Sequence, residues 1–177
     1  VIERKNNQRE ENFLPYVIDY ASGSGHFLTE VMDEINSYVT QIDENWIQGG
    51  GLAKRNFTAL KSEYLWAKEY VYGIEKDYRL AKTTKISTFL NGDGDANIIC
   101  GDGLDSFKTS KEYKGKLTVS RDGVNNEQFD VLIANPPYSV SGFKNALRNG
   151  KESFFLYPRL TEQSSEIECL FIERAKH

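Results

Sequence analysis

The chain is poor in cysteine and histidine, with two of each among its 177 residues. Cys100 and Cys169 both lie in apolar surroundings, which predicts reduced, buried thiols of a cytoplasmic protein and no disulfide. At their spacings, His26 and His177 do not complete a zinc site with these cysteines, so we expect no metal.

Long apolar runs and a surplus of basic residues are absent too. No stretch approaches the roughly 20 apolar residues that a membrane-spanning helix needs, and no signal peptide is visible. A net charge of −4 is unusual for a protein that binds DNA tightly by itself. With 39% hydrophobic and 12% aromatic residues, the chain has enough apolar material for about one globular domain.

The most informative stretch is Phe129–Tyr138, which reads Phe-Asp-Val-Leu-Ile-Ala-Asn-Pro-Pro-Tyr. Its apolar run at residues 131–134 predicts a central strand that is buried on both faces of a parallel sheet. Pro136 and Pro137 have no N–H, and they therefore end the strand in a stiff loop. Open α/β sheets bind ligands at this carboxyl end of their strands. A strand that merely ends in an Asn-Pro turn is the alternative.

This loop carries groups that suit an aromatic amine, whose lone pair is delocalised into its ring. The side-chain oxygen of Asn135 and the carbonyl of Pro136 can accept the two amine hydrogens and stabilise the charge that develops on nitrogen. Tyr138 can stack on a base taken out of a duplex. The tetrapeptide resembles the Asn-Pro-Pro-Tyr signature of amino-group methyltransferases that use S-adenosylmethionine, above all the adenine-N6 DNA methyltransferases. The resemblance implies a catalytic motif of Asn135, Pro136, Pro137 and Tyr138.

A glycine-containing motif, Asp19-Tyr-Ala-Ser-Gly-Ser-Gly-His-Phe-Leu28, follows a strand that we predict at residues 13–19. Its glycines permit a tight turn, and a helix should begin near His26 with Phe27 on its apolar face. A dinucleotide fingerprint would need a third glycine where Leu28 stands, which favours a cofactor without a pyrophosphate.

The same motif resembles the Asp-Pro-Ala-Cys-Gly-Ser-Gly-x-Phe-Leu motif of adenine-N6 DNA methyltransferases. Tyr20 stands where proline is usual, and Ser22 stands where cysteine is frequent. The serine is a near-isostere, whereas the tyrosine is expected to loosen the turn and weaken cofactor affinity. A strand, turn and helix with glycines but no cofactor is the alternative. The resemblance implies that S-adenosylmethionine is bound by Asp19, Ala21, Ser22, Gly23, Gly25 and Phe27.

Two further predicted strands, residues 70–74 and 97–100, end close to carboxylates. Glu75 is placed to accept hydrogen bonds from ribose hydroxyls, the alternative being a favourable interaction with the dipole of the next helix. Asp102 resembles the family residue that accepts a hydrogen bond from the adenine amine of the cofactor, the alternative being an Asp-Gly turn. The resemblance also assigns to the cofactor site Gly103, Leu104 and Asn135.

The remaining segments are expected to be peripheral. Residues 1–12 are expected to form a charged lead-in that is either solvated or a frayed helix. Residues 38–67 are predicted to form an extra helical segment between the first two strands. Residues 105–128 predict a solvated loop. Residues 139–164 predict a long, mobile loop whose basic side chains are placed to contact phosphates. Ser165-Glu-Ile-Glu168 is a capping-box pattern that predicts the start of a helix.

Over residues 13–177 the motifs together resemble the modification subunits of type I restriction-modification systems. The resemblance implies an α/β, Rossmann-like methyltransferase fold with a mostly parallel sheet and helices on both faces. It implies methyl transfer from S-adenosylmethionine to the N6 amine of adenine in DNA. DNA would be recognised by a target-recognition domain or a separate specificity subunit, and a restriction subunit would be a further partner. The alternatives are a methyltransferase of RNA bases or protein glutamine, and a non-catalytic cofactor-binding or assembly module.

We expect residues 1–177 to form a catalytic core that is truncated at both ends, without the family's upstream helix that contacts the cofactor. The fourth strand should then form an unpaired sheet edge with an exposed apolar face. We expect this piece alone to self-associate or be marginally stable, and not to methylate DNA.

Overall fold

A parallel four-stranded sheet lies at the centre of the molecule. The strands are β1 (Val17–Asp19), β2 (Val71–Glu75), β3 (Asn97–Cys100) and β4 (Val131–Leu132), in the order β3-β2-β1-β4. All three pairings are parallel, so the carboxyl ends of the strands share one edge. This confirms the predicted α/β, Rossmann-like fold class. The computed structural model describes residues 1–63, 66–93, 96–107, 110–113, 116–117, 129–148 and 151–176.

Helices fill most of the connections. α1 (Ile2–Asn7) precedes β1, and α2 (His26–Gln41), α3 (Gly51–Glu63) and α4 (Ala67–Tyr70) lie between β1 and β2. α5 (Tyr78–Thr88) continues as a π-helical turn at Phe89–Asp93 before β3, and α6 (Phe143–Ala146) and α7 (Glu168–Arg174) follow β4. Short 3-10 turns occur at Glu44–Trp46, Lys151–Ser153 and Tyr157–Arg159. None of the helices in the described ranges is long and apolar enough to cross a membrane.

Apolar residues cover both faces of the sheet, because successive side chains of a strand point to opposite faces. Val17 of β1 belongs to a buried cluster with Leu28 of α2. Its neighbour Ile18 belongs to a second buried cluster, with Leu170 of α7. β1 is buried along its whole length and β2 along nearly all of it, so these two strands have the environment typical of a parallel sheet.

β4 corrects the prediction of a central strand buried on both faces. Among the described residues it pairs with β1 alone, at the edge of the sheet, and Leu132 is 40% exposed. Val131, Ile133 and Ala134 are half-buried. An apolar run in the sequence indicates that a strand contacts the core, but it does not indicate how many strands pair with it. In the described part of the chain, β4 therefore has the free edge that was expected of the fourth strand.

The first 12 residues are more than a solvated or frayed lead-in. Lys5 of α1 is 6% exposed, and its ammonium lies 2.7 Å from the Asp130 carboxylate and donates to the Leu14 carbonyl at 3.2 Å. Asp130 also accepts from the Tyr16 N–H at 3.0 Å. α1 therefore ties together the amino ends of β1 and β4, at the edge of the sheet opposite to the carboxyl ends of the strands.

The segment after β4 is likewise packed rather than an open loop. Its described residues, 139–148 and 151–164, contain α6 and two 3-10 turns, and Phe143 and Phe154 are buried. Lys144, one of the basic residues expected to contact phosphates, donates to the Leu160 carbonyl at 2.6 Å. That lysine therefore has a partner inside the fold.

The capping box predicted at residues 165–168 does not form. α7 begins at Glu168 with Ile167 as its N-cap, and no side chain caps it. The carboxylate of Glu168 instead accepts a hydrogen bond from the Ser139 N–H at 3.4 Å. The Ser165 N–H donates a hydrogen bond to the Glu166 carboxylate. Both groups of the expected box thus have other partners.

Two further expectations about burial are corrected. Cys100 is exposed and Cys169 is half-buried, and both are free thiols, so the expectation of two buried thiols is wrong. The predicted solvated loop at residues 105–128 is partly buried, since Phe107 and Tyr113 belong to the core. The parts of that loop at residues 108–109, 114–115 and 118–128 lie outside the described residues.

Candidate functional site

The carboxyl ends of the strands and the loop after β4 border one cleft of about 210 Å³. The cleft brings together residues from all four sequence motifs, although they are far apart in the chain. Side chains of α6 and α7 complete its apolar wall, among them Phe143 and Phe171. The predicted site residues that line it are Ala21, Glu75, Asp102, Gly103, Leu104 and Pro137.

The glycine turn, residues 20–25, is held from the side by β2 and α5. The Ser22 N–H donates to the Ile74 carbonyl at 2.9 Å, and the Thr84 hydroxyl donates to the Gly23 carbonyl at 2.9 Å. Gly25 adopts φ +86°, and a Cβ there would lie 2.6 Å from the Thr84 methyl group. Only glycine fits this approach without strain. Thr84, which sequence reasoning missed, therefore determines where the turn lies.

Glu75 ends β2 beside this turn. Its Oε2 accepts from the Gly23 N–H at 2.8 Å, and its Oε1 accepts from the Asp77 N–H at 2.7 Å. The capping residue of α5 is Asp77, whose carboxylate accepts from the N–H groups of Arg79 and Leu80. Because a carboxylate oxygen has two acceptor sites, Glu75 retains capacity for further donors while it holds the turn.

Asp19 is the most unusual group in the site. It is 1% exposed; its Oδ1 accepts from the Ala21 N–H at 2.9 Å, whereas its Oδ2 has no hydrogen-bond partner. Burial raises the pKa of Asp19 to about 6, the Ala21 N–H opposes the shift, and the negative charge of Glu75 adds to it. A buried, unsatisfied carboxylate oxygen is costly in a folded protein, and it fits a site that receives a cationic donor.

Asp102 lies beyond the end of β3, opposite Glu75. Its Oδ1 accepts from the Leu104 N–H at 3.0 Å, and its Oδ2 lies 2.6 Å from the Lys76 ammonium. Lys76 is a second residue that sequence reasoning missed, although it directly follows Glu75. Within the cleft, Asp102 therefore presents a carboxylate that is fixed at one oxygen by backbone and at the other by a lysine.

Tyr20 corrects the expectation that it loosens the glycine turn. Its side chain is buried, its hydroxyl donates to the Phe171 carbonyl at 2.9 Å, and the two rings lie 5.3 Å apart. Gly103 passes so close to the Tyr20 carbonyl that a Cβ at this position would collide with it. The tyrosine thus fixes the turn to α7, and the glycine lets the chain after β3 approach the turn.

The Asn-Pro-Pro-Tyr loop lies at the mouth of the cleft. Pro137 lines the cleft, Asn135 is exposed, and Tyr138 is 73% exposed. Ser139, directly after the motif, has φ +54°, and its N–H is the donor to Glu168 of α7. The loop therefore presents an amide and an open aromatic ring to solvent beside a cleft lined by two carboxylates, Glu75 and Asp102.

Phe27 is placed differently from the prediction. It lies in the first turn of α2 and is 39% exposed, and the apolar face of that helix is formed by Leu28, Met32, Ile35 and Val39. It does not line the cleft. Within the described ranges, no group of three or more His, Cys, Asp or Glu side chains is arranged to hold a metal ion.

Comparisons with known proteins show which family this chain resembles. The family model described as "Eco57I restriction-modification methylase" matches residues 69–177, which is more than half of the chain and includes β2, β3 and β4. The "Type II restriction enzyme and methyltransferase RM.Eco57I" of Escherichia coli is 29% identical over 155 residues. The match covers 73% of this chain but 15% of that protein, so the chain spans a small part of the relative's length. The chain belongs to the Eco57I restriction-modification methylase family.

Proposed function

We propose that this chain transfers a methyl group from S-adenosylmethionine to the N6 amine of adenine in DNA. The observation that carries the proposal is the Asn-Pro-Pro-Tyr loop at the mouth of a cleft lined by acidic strand ends. Membership of a restriction-modification methylase family supports methyl transfer to DNA. We further propose that the reaction takes place in the cytoplasm, with DNA recognition supplied by a target-recognition domain or a specificity subunit, and with a restriction subunit as partner.

The residues of the site fit S-adenosylmethionine chemically. The cofactor offers donors at its ammonium, its ribose hydroxyls and its adenine amine, and it supplies an activated methyl group on a sulfonium. Asp19 Oδ2 is an unpartnered buried acceptor that suits the ammonium. Glu75 suits the ribose hydroxyls, and Asp102 suits the adenine amine, because each carboxylate keeps free acceptor sites.

The loop residues act on the target base. Asn135 and the Pro136 carbonyl accept the hydrogens of the exocyclic amine, which makes its lone pair available and stabilises the positive charge that develops on nitrogen. Tyr138 stacks on the base, and its exposed ring suits a partner that arrives from solvent, such as a base extruded from the duplex.

Two alternatives share parts of this geometry. The loop suits any planar amine or amide nitrogen, so an RNA base or a protein glutamine is a second substrate class, and a non-catalytic cofactor-binding or assembly module is a third possibility. The family match favours DNA. Incubation of the full-length protein with labelled cofactor and DNA, RNA or protein distinguishes them. Label in DNA alone supports the proposal, and label in RNA or protein alone contradicts it.

The two carboxylates at the ends of β2 and β3 yield the first prediction. Glu75→Ala and Asp102→Ala should each weaken cofactor binding by about 1–3 kcal/mol, the usual cost of losing a hydrogen bond to a charged group. Glu75→Gln is the matched control, because it retains one oxygen for the glycine turn. Isothermal calorimetry with S-adenosylmethionine measures the change. Wild-type affinity in both alanine variants would rule out these assignments.

Thr84 yields a second prediction, about positioning. Thr84→Val keeps the buried shape but removes the donor to the Gly23 carbonyl, so cofactor affinity should fall by about 0.5–1.5 kcal/mol. Thr84→Ser keeps the hydroxyl and should restore most of that affinity. If serine fails to restore it while both variants melt at the wild-type temperature, the hydroxyl does not position the turn.

A further inference from the structure

The outer face of α5 and its π-helical extension carries four of the large hydrophobic side chains that are exposed in the described residues. Tyr78 and Ile86 are each 60% exposed, Phe89 is 64% exposed and Leu90 is 77% exposed. We call Tyr78, Lys82, Ile86, Phe89 and Leu90 the α5 stripe. Steps of four, four and three residues place its first four members on one side of the helix.

This stripe does not arise from a loosely attached helix. The opposite face of α5 is buried through Ala81, Thr84 and Thr88, and the Thr84 hydroxyl bonds the glycine turn. Small residues face the sheet, and the larger apolar residues face outward. This is the reverse of what a surface helix normally shows, and it indicates a second packed layer.

The charge around the stripe is positive, in contrast to the chain as a whole. Between residues 76 and 90 there are four cations, Lys76, Arg79, Lys82 and Lys85, and a single carboxylate, Asp77. Lys76 is paired with Asp102 and Arg79 with Asp77, so Lys82 and Lys85 supply the positive charge that borders the stripe. The Lys82 ammonium lies 4.6 Å from the centroid of the Tyr78 ring, within the apolar stripe itself.

These features distinguish between possible occupants. Two copies that meet through this face would bring lysine against lysine. A nucleic acid would offer phosphates but no packing partner for Ile86, Phe89 and Leu90. A protein segment with an apolar face and carboxylates at its borders satisfies both the apolar and the charged groups.

We propose that the α5 stripe docks an amphipathic protein helix bordered by acidic residues. The stripe is about 18 Å long at about 1.5 Å per residue, which matches about three turns of a partner helix. Phe89 and Ile86 would occupy the centre of the contact, and Lys82 and Lys85 would pair with the partner's carboxylates. The proposal is independent of the methyltransferase reaction.

A pair of synthetic peptides tests it on the 177-residue chain. One is a helical 14-residue peptide with leucines along one face and glutamates beside them, and its twin has lysines in place of the glutamates. Fluorescence anisotropy should show saturable binding of the acidic peptide, and at least tenfold weaker binding of the basic twin. Phe89→Ser should weaken the acidic peptide at least tenfold, whereas the matched control Phe155→Ser, at a residue that is 69% exposed, should not.

Charge reversal provides the sharper measurement. Lys82→Glu combined with Lys85→Glu should invert the preference, so that the basic twin binds more tightly than the acidic peptide. Three results would each overturn the proposal: no saturable binding of the acidic peptide, an equal loss of its affinity in the Phe155→Ser control, or an unchanged peptide preference after charge reversal. Tighter binding of duplex DNA or of anionic vesicles at this stripe would also overturn it, as would a dimer that Phe89→Ser dissociates.

Discussion

Asn135→Ala is expected to lower the rate of methyl transfer by about 10²–10³-fold, the usual effect of removing one preorganised group that stabilises developing charge. Cofactor affinity should stay near that of the wild type, since Asn135 is exposed at the mouth of the cleft and does not line it. Single-turnover methylation of duplex DNA by the full-length protein measures the rate, and calorimetry measures the affinity. A fully active variant would contradict methyl transfer through this loop.

Tyr138 provides the matched control in the same loop. Tyr138→Phe keeps a flat ring and should retain much of the activity, whereas Tyr138→Ala should lose about 1–3 kcal/mol of base binding. The ring is 73% exposed, so neither change should alter the melting temperature much. If the activity of both variants followed their melting temperatures, the tyrosine would have only a structural role.

Stability is expected to depend on pH through Asp19. Its pKa is about 6 in the folded state against an ordinary value of 3.8, so the folded state binds this proton more tightly than the unfolded state. The contribution to stability is present in full below about pH 4 and is lost as pH rises through 6. At about 1.36 kcal/mol per pKa unit, the free energy of unfolding should fall by up to about 3 kcal/mol over this range.

Urea unfolding between pH 4 and pH 8 measures this loss, and Asp19→Asn is the matched variant because it cannot ionise. Its stability should change less with pH than that of the wild type. S-Adenosylmethionine should reduce the loss in the wild type, since the ammonium would pair with the ionised carboxylate. If the wild type and Asp19→Asn had the same pH profile, the ionisation of Asp19 would not be the cause.

The features that the sequence predicted correctly are those set by residues close together in the chain. Strand ends, the glycine turn and the order of motifs are encoded by short patterns, and parallel pairing brings such ends to one edge. The number of neighbours of β4, the burial of Lys5 and the bond from Tyr20 to α7 depend on partners more than 100 residues away in sequence. No local pattern reports such partners. The contact of Thr84 with the glycine turn could not be predicted for the same reason, since a threonine inside a helix carries no sequence pattern that indicates such a contact.

β1 lies between two strands that are much later in the chain, and this affects how the protein is made. The contact of Tyr16 with Asp130 joins residues 114 apart, and that of Tyr20 with Phe171 joins residues 151 apart. Such high contact order favours slow folding, because chain entropy is lost before the contacts form. During synthesis, β1 and its turn leave the ribosome before β4 and α7, so their contacts with Asp130 and Phe171 form only after α7 has followed. Until then, the edge of β1 that pairs with β4 remains accessible to chaperones and proteases.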